Sequence, residues 1–402
     1  MVMRKIAIDL SAAQPQRLTK VNGGGEYGAY LFSLLSKDES IALEVFLDTK
    51  KGENNLVNTI CRQKNIVQHY FANNEELSGL ISDGQYDTVF FPICHPSYAG
   101  ITVDKKQRIV AGIHDLSTIE QAEVIRKVYG KKYFADDGKD WVRRIYRCVN
   151  TVGEKKRAIK AHEKILHLSD RQITYTVSYS TKAEILYYFQ EFTSDQIPVF
   201  YTPETVVFEE KRVDEQEVLS KYGVKSGEYF LCCSANRWNK NNAFAIKVMD
   251  SFLSNNEQLH YRAVVLGAVG KAGDYLKTLP RNKGGFTFTG YVDRIDMDIL
   301  FKNAHAFVYP SVIEGFGLPP IEAMRYGTVS LCSTATSITE ICDDAAIYFD
   351  PYSASSLYKA LLKSFDKEYI EIVKRHISRR YDEIQKKRQE DVLGILKLVK
   401  GN

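Results

Sequence analysis

Short apolar runs alternate with helical patterns along almost the whole chain, and this alternation limits the possible folds more than any other feature. A run such as Lys5–Asp9 has strand character, and the segments between such runs carry apolar residues three or four positions apart, as amphipathic helices do. Strands that alternate with helices form parallel sheets covered on both faces. We therefore predict an α/β fold with doubly wound sheets. The predicted strands are 5–9, 43–47, 86–91, 108–113, 172–178, 229–233, 261–267, 286–292, 306–309, 328–332 and 346–349.

The chain of 402 residues is too long for one hydrophobic core, so we expect about two domains. An extended, proline-containing segment at 197–203 precedes the second series of strands, and we place the connection near 202–212. The predicted domains are an N-terminal Rossmann-like domain over 1–205 and a C-terminal one over 206–370. A long, charged C-terminal helix occupies 371–402.

The composition is that of an ordinary globular protein, with 44% hydrophobic and 26% charged residues. The net charge of +4 gives no argument for nucleic acid as a partner. No apolar run approaches the ~20 residues that span a bilayer, and the N-terminus predicts a first strand rather than a signal peptide. The seven cysteines are scattered without CxxC spacing, which indicates reduced thiols. We therefore expect a cytoplasmic location.

The stretch Ser311–Gly327 joins an apolar strand to a helix through a polar loop that contains glycine. Glu314 and Glu322 bracket the loop, and two prolines fit the first helical positions, where a missing N–H costs little. A helix start binds anions, and carboxylates accept hydrogen bonds from hydroxyls. The stretch predicts a site for a ligand with both hydroxyls and negative charge, such as a nucleotide sugar. The alternative is an ordinary connection with two surface glutamates.

Residues 314–324, with the sequence EGFGLPPIEAM, resemble the glutamate-x7-glutamate signature of retaining glycosyltransferases of family 4, which belong to glycosyl transferases group 1. The resemblance covers nearly the whole chain, closely over 229–351 and more loosely in the first half. It implies the GT-B fold, in which two Rossmann-like doubly wound domains face a central cleft. It further implies that the first domain holds the acceptor, that the second binds the donor, and that helix 371–402 packs back on the first.

Within the signature, the resemblance implies that Glu314 orients the donor sugar and that Glu322 contacts the ribose. The strand predicted at 286–292 resembles the segment whose backbone recognises the nucleotide base. The remaining residues implied to contact the donor from these two segments are Gly315, Phe316, Gly317, Leu318, Tyr291 and Val292.

Three glycines, Gly23, Gly24 and Gly25, precede a helix that we expect to begin near Glu26. Glycines before a helix let backbone N–H groups approach a diphosphate closely. Alone, they fit a plain flexible loop better. The resemblance places them beside the donor diphosphate.

Two histidines follow predicted strands. His114, in the sequence His-Asp-Leu, resembles a family motif in which the histidine lies beside the donor sugar, and the alternative is a structural histidine with satisfied hydrogen bonds. His95 is part of no motif, and we interpret it as structural.

Arg237 and Lys240 lie where the strand at 229–233 opens into a helix. Arginine supplies a planar fork and lysine a point charge, both suited to phosphate. The family uses an arginine and a lysine at this connection to bind the donor diphosphate, so the resemblance implies this role here. An exposed salt-bridging pair is the alternative.

Together these features predict a retaining, metal-independent hexosyltransferase. It would move a hexose or deoxyhexose from a nucleotide diphosphate sugar to a hydroxyl of a glycan or lipid-linked acceptor, in cell-surface glycan or polysaccharide assembly. The catalytic residues would be Glu314, His114, Lys240 and Arg237. The nucleotide sugar is a substrate, and we expect no cofactor and no metal.

Residues 121–164 carry thirteen basic and six acidic side chains. The common interpretation of such a block is a solvated helix face. A second interpretation is peripheral contact with an anionic membrane at the inner face, where each basic residue contributes ~1 kcal/mol.

Two other functions stay open. A nucleotide-sugar epimerase has a fold of this kind, and a non-catalytic sugar-nucleotide-binding protein would show the same domains. A dehydrogenase is disfavoured because no G-x-G-x-x-G follows the first strand.

Overall fold

The computed structural model describes residues 3–15, 23–121, 124, 151–205, 213–235 and 237–401. These residues form two compact units. The first unit lies within Met1–Glu120, Asn150–Val207 and Lys386–Asn402, and the second includes Phe208–Gln385. Residues 122–123 and 125–150 of the predicted basic block, and 206–212 of the predicted connection, lie outside the described residues. The predicted domain boundaries stay a prediction.

Each unit contains a parallel sheet with the same strand order. In the first unit the order is β3-β2-β1-β4-β5-β6, and in the second it is β12-β11-β10-β7-β8-β9. The prediction of two doubly wound sheets is confirmed. The strands are β1 (Arg4–Asp9), β2 (Ile41–Asp48), β3 (Val67–Phe71), β4 (Thr88–Phe91), β5 (Arg108–Ile113), β6 (Arg171–Thr176), β7 (Tyr229–Cys232), β8 (Arg262–Val265), β9 (Phe286–Phe288), β10 (Ala306–Tyr309), β11 (Ser330–Ser333) and β12 (Ala346–Phe349).

Helices connect the strands of both units. Those of the first unit, which we number in chain order, are α1 (Gly23–Leu35), α2 (Asn55–Lys64), α3 (Asn74–Gly84), α4 (Thr151–Leu166) and α5 (Tyr179–Tyr188). In the second unit they are α6 (Glu215–Lys221), α7 (Asn242–Asn255), α8 (Gly270–Lys277), α9 (Arg294–Asn303), α10 (Leu318–Arg325), α11 (Ile338–Cys342) and α12 (Ala354–Lys363). The last helix, α13 (Lys367–Lys400), has residues in both units.

The central strands carry continuous apolar runs because both faces of each sheet are buried. In β1, Ile6 and Ile8 belong to one hydrophobic cluster and Ala7 to another, and all three are fully buried. Neighbouring residues of a strand point to opposite faces. A strand covered on both faces therefore favours apolar residues at consecutive positions, which is the pattern that identified these strands in the sequence.

The strand order creates a switch point in each sheet, where connections on the two sides run in opposite directions. In the first unit the switch point lies between β1 and β4, and in the second between β7 and β10. Ligands of doubly wound sheets bind at the carboxyl ends of the strands flanking this point. The loops after β7 and β10 are therefore the first place to look for a site in the second unit.

Three of the differences from the sequence-based expectations concern a missed strand and the bounds of two elements with predicted site residues. The edge strand β3 was not predicted, because its sequence VQHYF is half polar and most of its residues are partly exposed. Strand β9 ends at Phe288 instead of 292. Helix α1 begins at Gly23 instead of near Glu26, so the three glycines form its first turn instead of a preceding loop.

Within the described residues, no helix is both long enough and apolar enough to cross a bilayer.

Gly112 in β5 allows a close contact that a side chain would block. A Cβ atom there would lie 2.4 Å from the carbonyl oxygen of Pro92 and 2.6 Å from the hydroxyl of Tyr175. We expect Gly112→Ala to lower the free energy of unfolding of the first unit by ~1–3 kcal/mol, the usual cost of overpacking. Denaturant titration measures this change.

The control is Gly79→Ala on the exposed side of α3, where a Cβ atom would meet nothing within 4 Å. This variant should be more stable than the wild type by ~0.5–1 kcal/mol, because alanine loses less backbone entropy in a helix. Equal stability of the two variants would contradict the structural explanation.

Candidate functional site

Two loops of the second unit meet at its switch point. One follows β7 and leads to α7, and the other follows β10 and leads to α10. The amide of Val312 donates a hydrogen bond to the carbonyl of Asn239 at 2.8 Å, and Asn239 Nδ2 donates to the carbonyl of Ile313 at 3.0 Å. The parallel sheet thus brings together two segments about seventy residues apart.

A buried ion pair joins these loops. Lys240 Nζ lies 2.7 Å from Glu314 Oε1 and donates a second hydrogen bond of 2.7 Å to the hydroxyl of Tyr309. The side chains of Lys240 and Glu314 are only 4% and 12% exposed. Burial and the adjacent carboxylate hold the pKa of Tyr309 well above its ordinary value, so the hydroxyl keeps its proton. An ammonium has three donors, and these two hydrogen bonds use two of them.

Glu314 uses one carboxylate oxygen for the protein. Oε1 accepts hydrogen bonds from Lys240 and from the hydroxyl of Ser311, whereas Oε2 has no hydrogen-bond partner among the residues that the structure describes. Ser311 is itself fully buried. The carboxylate is therefore fixed through one oxygen and can accept hydroxyl protons with the other.

The start of α10 presents backbone donors. Gly317 has φ +104° and is the N-cap of α10, with no side-chain cap. In the described part of the chain, neither its amide nor that of Leu318 donates a hydrogen bond, and a Cβ atom on Gly317 would meet nothing within 4 Å. Free amides beside open space are suited to an anion. Gly315 and Phe316 lie just before this point in the same loop.

Glu322 is paired with an arginine that sequence reasoning missed. Arg294 Nη1 lies 2.6 Å from Glu322 Oε1, and Arg294 Nε lies 2.9 Å from Asp298 Oδ1. Burial lowers the pKa of Arg294, but these carboxylates outweigh it and leave the pKa above its ordinary value. Glu322 therefore stands in a charged group on α9 and α10, and Arg294 holds its side chain in place.

The other predicted residues of the second unit lie in loops. Arg237 is exposed and precedes a short turn, Trp238–Lys240, that ends with Asn241 in a left-handed conformation. Tyr291 and Val292 follow β9 instead of belonging to it, and Tyr291 is 53% exposed.

In the first unit, the structure brings the glycine segment close to His114. Tyr27, in the second turn of α1, packs its ring edge-on against His114 with 4.7 Å between ring centroids. Gly23, Gly24 and Gly25 form the first turn of the same helix.

His114 is held as a neutral ring. Its Nε2 lies 3.1 Å from the carbonyl of Pro92, and a carbonyl can only accept, so Nε2 carries the proton. Burial lowers the pKa of His114 below its ordinary value. Nδ1 is then an acceptor for a hydroxyl.

The second histidine has a structural role, as expected. His95 Nδ1 accepts a hydrogen bond from the amide of Ser97 at 3.1 Å and caps the turn that follows β4.

Two further acidic groups of the first unit, the buried Asp9 and the partly buried Glu184, were not predicted as site residues. Asp9, at the end of β1, accepts a hydrogen bond of 2.6 Å from Tyr98, and burial raises its pKa. Glu184 on α5 has a pKa raised to about 8 by burial and by the nearby carboxylates of Glu120 and Asp115. No local sequence pattern indicates either shift, because both depend on neighbours from other elements.

The second unit is thus a doubly wound unit with a cation, free amides and an open carboxylate oxygen at its switch point. Residues 214–383 match the sequence profile described as Glycosyl transferases group 1.

Two curated relatives are similar to about half of this chain. The chain is 28% identical over 214 residues to O-antigen chain mannosyltransferase B of Escherichia coli, and 29% identical over 192 residues to O-antigen chain mannosyltransferase RfbU of Salmonella typhimurium. These matches cover 52% and 46% of this chain, and they span 56% and 49% of the relatives, about half of their length.

A solved structure establishes the fold over the whole chain. Alr3699/HepE from Anabaena, in complex with UDP and glucose, superposes with a TM-score of 0.66 at 13% identity and covers 100% of both chains. The GT-B fold class is thereby confirmed, whereas the roles of the individual site residues stay predictions.

The buried ion pair should be energetically coupled. We expect Lys240→Met or Glu314→Gln alone to destabilise the second unit by ~3–5 kcal/mol, because each leaves its partner without the charge or hydrogen bonds that stabilise it. The double variant should lose clearly less than the sum. Denaturant unfolding of all four proteins measures the coupling, and losses that add within ~0.5 kcal/mol would show that the two groups do not interact.

Proposed function

We propose that this protein is a retaining glycosyltransferase. It moves a hexose or deoxyhexose from a nucleotide diphosphate sugar to a hydroxyl of a glycan or lipid-linked acceptor. The reaction belongs to cell-surface polysaccharide assembly. The observation that carries the proposal is the buried Lys240–Glu314 pair, which lies in the same strand-end loops as the free amides of Gly317 and Leu318. The donor binds to the second unit, and the first unit holds the acceptor.

The charges of this site suit the departure of a diphosphate. When the bond between the sugar and the phosphate breaks, negative charge grows on the leaving group, and fixed donors aimed at that charge lower the barrier. Lys240 has one donor left after its bonds to Glu314 and Tyr309, and the start of α10 adds amides. Arg237 would contribute a further donor.

The hydroxyl-binding groups suit a sugar. Glu314 Oε2 is available to hydroxyl protons, and His114 Nδ1 is an acceptor on a ring that stays neutral. Glu322, held by Arg294, would accept from the ribose, and the exposed ring of Tyr291 with Val292 would lie beside the base. Because the relatives are named as mannosyltransferases, mannose is the first donor sugar to test.

The proposed reaction retains the anomeric configuration and uses no metal. The bond from the anomeric carbon to the phosphate oxygen breaks, the bond to the acceptor oxygen forms on the same face, and the departing phosphate takes the proton of the acceptor hydroxyl. Glu314 positions the sugar and does not form a covalent bond with it. Product anomer analysis by NMR and assays in excess EDTA test these two points.

We expect Glu314→Ala and Lys240→Ala each to lower turnover at least ~100-fold, the usual loss for one preorganised electrostatic contact. The assay follows release of nucleoside diphosphate from a panel of nucleotide sugars that is first ranked by thermal shift, since a bound donor stabilises the folded protein. Lys247→Ala, on the exposed side of α7, is the matched control and should keep wild-type turnover.

Near-normal rates in the Glu314 or Lys240 variant would overturn the site. Conversion of the donor into another nucleotide sugar without acceptor would indicate an epimerase. Donor binding without any turnover would indicate a non-catalytic binding protein.

A basic stripe on α4 supports peripheral contact with an anionic membrane. Lys156, Lys160 and Lys164 are exposed and spaced four residues apart, so they lie on one side of the helix. In low salt, the protein should co-sediment with vesicles containing phosphatidylglycerol and not with neutral vesicles. The variant in which the three lysines are replaced by glutamate should bind at least ~10-fold more weakly, since each cation contributes ~1 kcal/mol. Equal binding to both vesicle types would contradict the membrane contact.

A further inference from the structure

A third loop, between β11 and α11, holds the backbone of the Glu314 segment. The hydroxyl oxygen of Thr336 accepts a hydrogen bond from the amide of Glu314 at 2.9 Å. The hydroxyl of Ser337 lies 2.9 Å from the carbonyl oxygen of Glu314 and 3.0 Å from that of Phe316. Two consecutive hydroxyl side chains therefore bind the main chain just before the free amides at the start of α10.

Thr336 takes an unfavourable backbone conformation to make this contact. Its φ is +46°, in the left-handed region that β-branched residues rarely adopt. If this position only had to form a turn, glycine would be more favourable than threonine, because it has no side chain to clash at positive φ. The threonine contributes a hydroxyl that glycine lacks, and that hydroxyl bonds to Glu314. Strain of this kind persists where the surroundings impose it, and it is concentrated at functional sites.

The two ends of Glu314 are thus held by different loops. Its carboxylate is bound by Lys240 from the loop after β7 and by Ser311 from its own loop. Its amide is bound by Thr336 from the loop after β11. If only the carboxylate were held, the backbone of the segment could shift while the ion pair stayed intact, and the amides of Gly317 and Leu318 would shift with it.

We propose that Thr336 is a positioning residue for transfer: its hydroxyl fixes the Glu314 backbone so that the open carboxylate oxygen and the amides at the start of α10 face one donor together. This inference rests on the function proposed above. A displacement of such groups by about an ångström lowers the rate of transfer strongly, because the reacting atoms must be closely aligned. The ligand can still bind. Thr336 therefore affects kcat more than donor affinity.

The test compares three substitutions of Thr336. Thr336→Val keeps the shape and the β-branch but removes the hydroxyl, Thr336→Ser keeps the hydroxyl, and Thr336→Gly removes both the hydroxyl and the strain. We expect kcat to fall ~10–100-fold in the valine and glycine variants, with the donor KM within ~3-fold of the wild type. The serine variant should stay within ~3-fold in kcat. The glycine variant should melt no lower than the wild type, since the strain is relieved.

Thr334→Val is the matched control in the same loop, because Thr334 is exposed and no hydrogen bond of its hydroxyl to a described residue is present. It should keep the wild-type kcat. A wild-type kcat in Thr336→Val, or a loss of kcat in Thr336→Ser as large as that in the valine variant, would overturn the inference.

Hydrogen exchange provides a readout that does not depend on activity. The amide of Glu314 should exchange faster in the valine and glycine variants than in the wild type and in Thr336→Ser, at equal global stability. Unchanged exchange at Glu314 would also overturn the inference. If wild-type protein transfers no sugar, the proposed function fails, whereas the exchange experiment still decides whether Thr336 holds this backbone.

Discussion

The contact between Lys240 and Glu314 is the interaction on which the second unit depends. Two opposite charges are held at 2.7 Å where hardly any water reaches them, and each would be costly to bury alone. Their loops come from adjacent strands, and Tyr309 and Ser311 complete the hydrogen bonds. The same pair that joins the loops leaves one ammonium donor and one carboxylate oxygen without a hydrogen-bond partner among the described residues. Under the proposed function, stability and ligand recognition would therefore share the same two side chains.

The strand order explains why this contact forms where it does. Both sheets have their central strands buried on two faces and reverse their winding direction at one point. In the second unit this places the loops after β7 and β10 side by side, and in the first unit it places Asp9 and Pro92 near the ends of neighbouring strands β1 and β4. Apolar runs in the sequence thus determine indirectly which polar loops meet, because each loop directly follows a strand whose position in the sheet is fixed.

Local patterns predicted most of the fold and the segments of the candidate site, but not the partners within it. The strands at 306–309 and 346–349 were located to the residue, because continuous apolar runs are distinctive when both faces are covered. The half-polar edge strand β3 lacked this signal. The sequence identified Glu314, Lys240 and Glu322 as polar residues of the right type. It contained no sign that Lys240 binds Glu314, that Arg294 binds Glu322 or that Thr336 supports the loop, since these contacts join residues 22 to 74 positions apart.

If Glu314 binds the donor sugar as proposed, its arrangement has a consequence for substrate selection and its redesign. A single carboxylate oxygen offers about two lone pairs, so it can accept protons from at most two ring hydroxyls. Epimers that share those hydroxyls can make the same hydrogen bonds to Glu314. Discrimination at the remaining carbons must therefore come from other parts of the protein. An engineer who wishes to broaden or exchange the sugar can therefore leave the ionic core untouched and vary the surroundings, which separates the choice of substrate from the integrity of the scaffold.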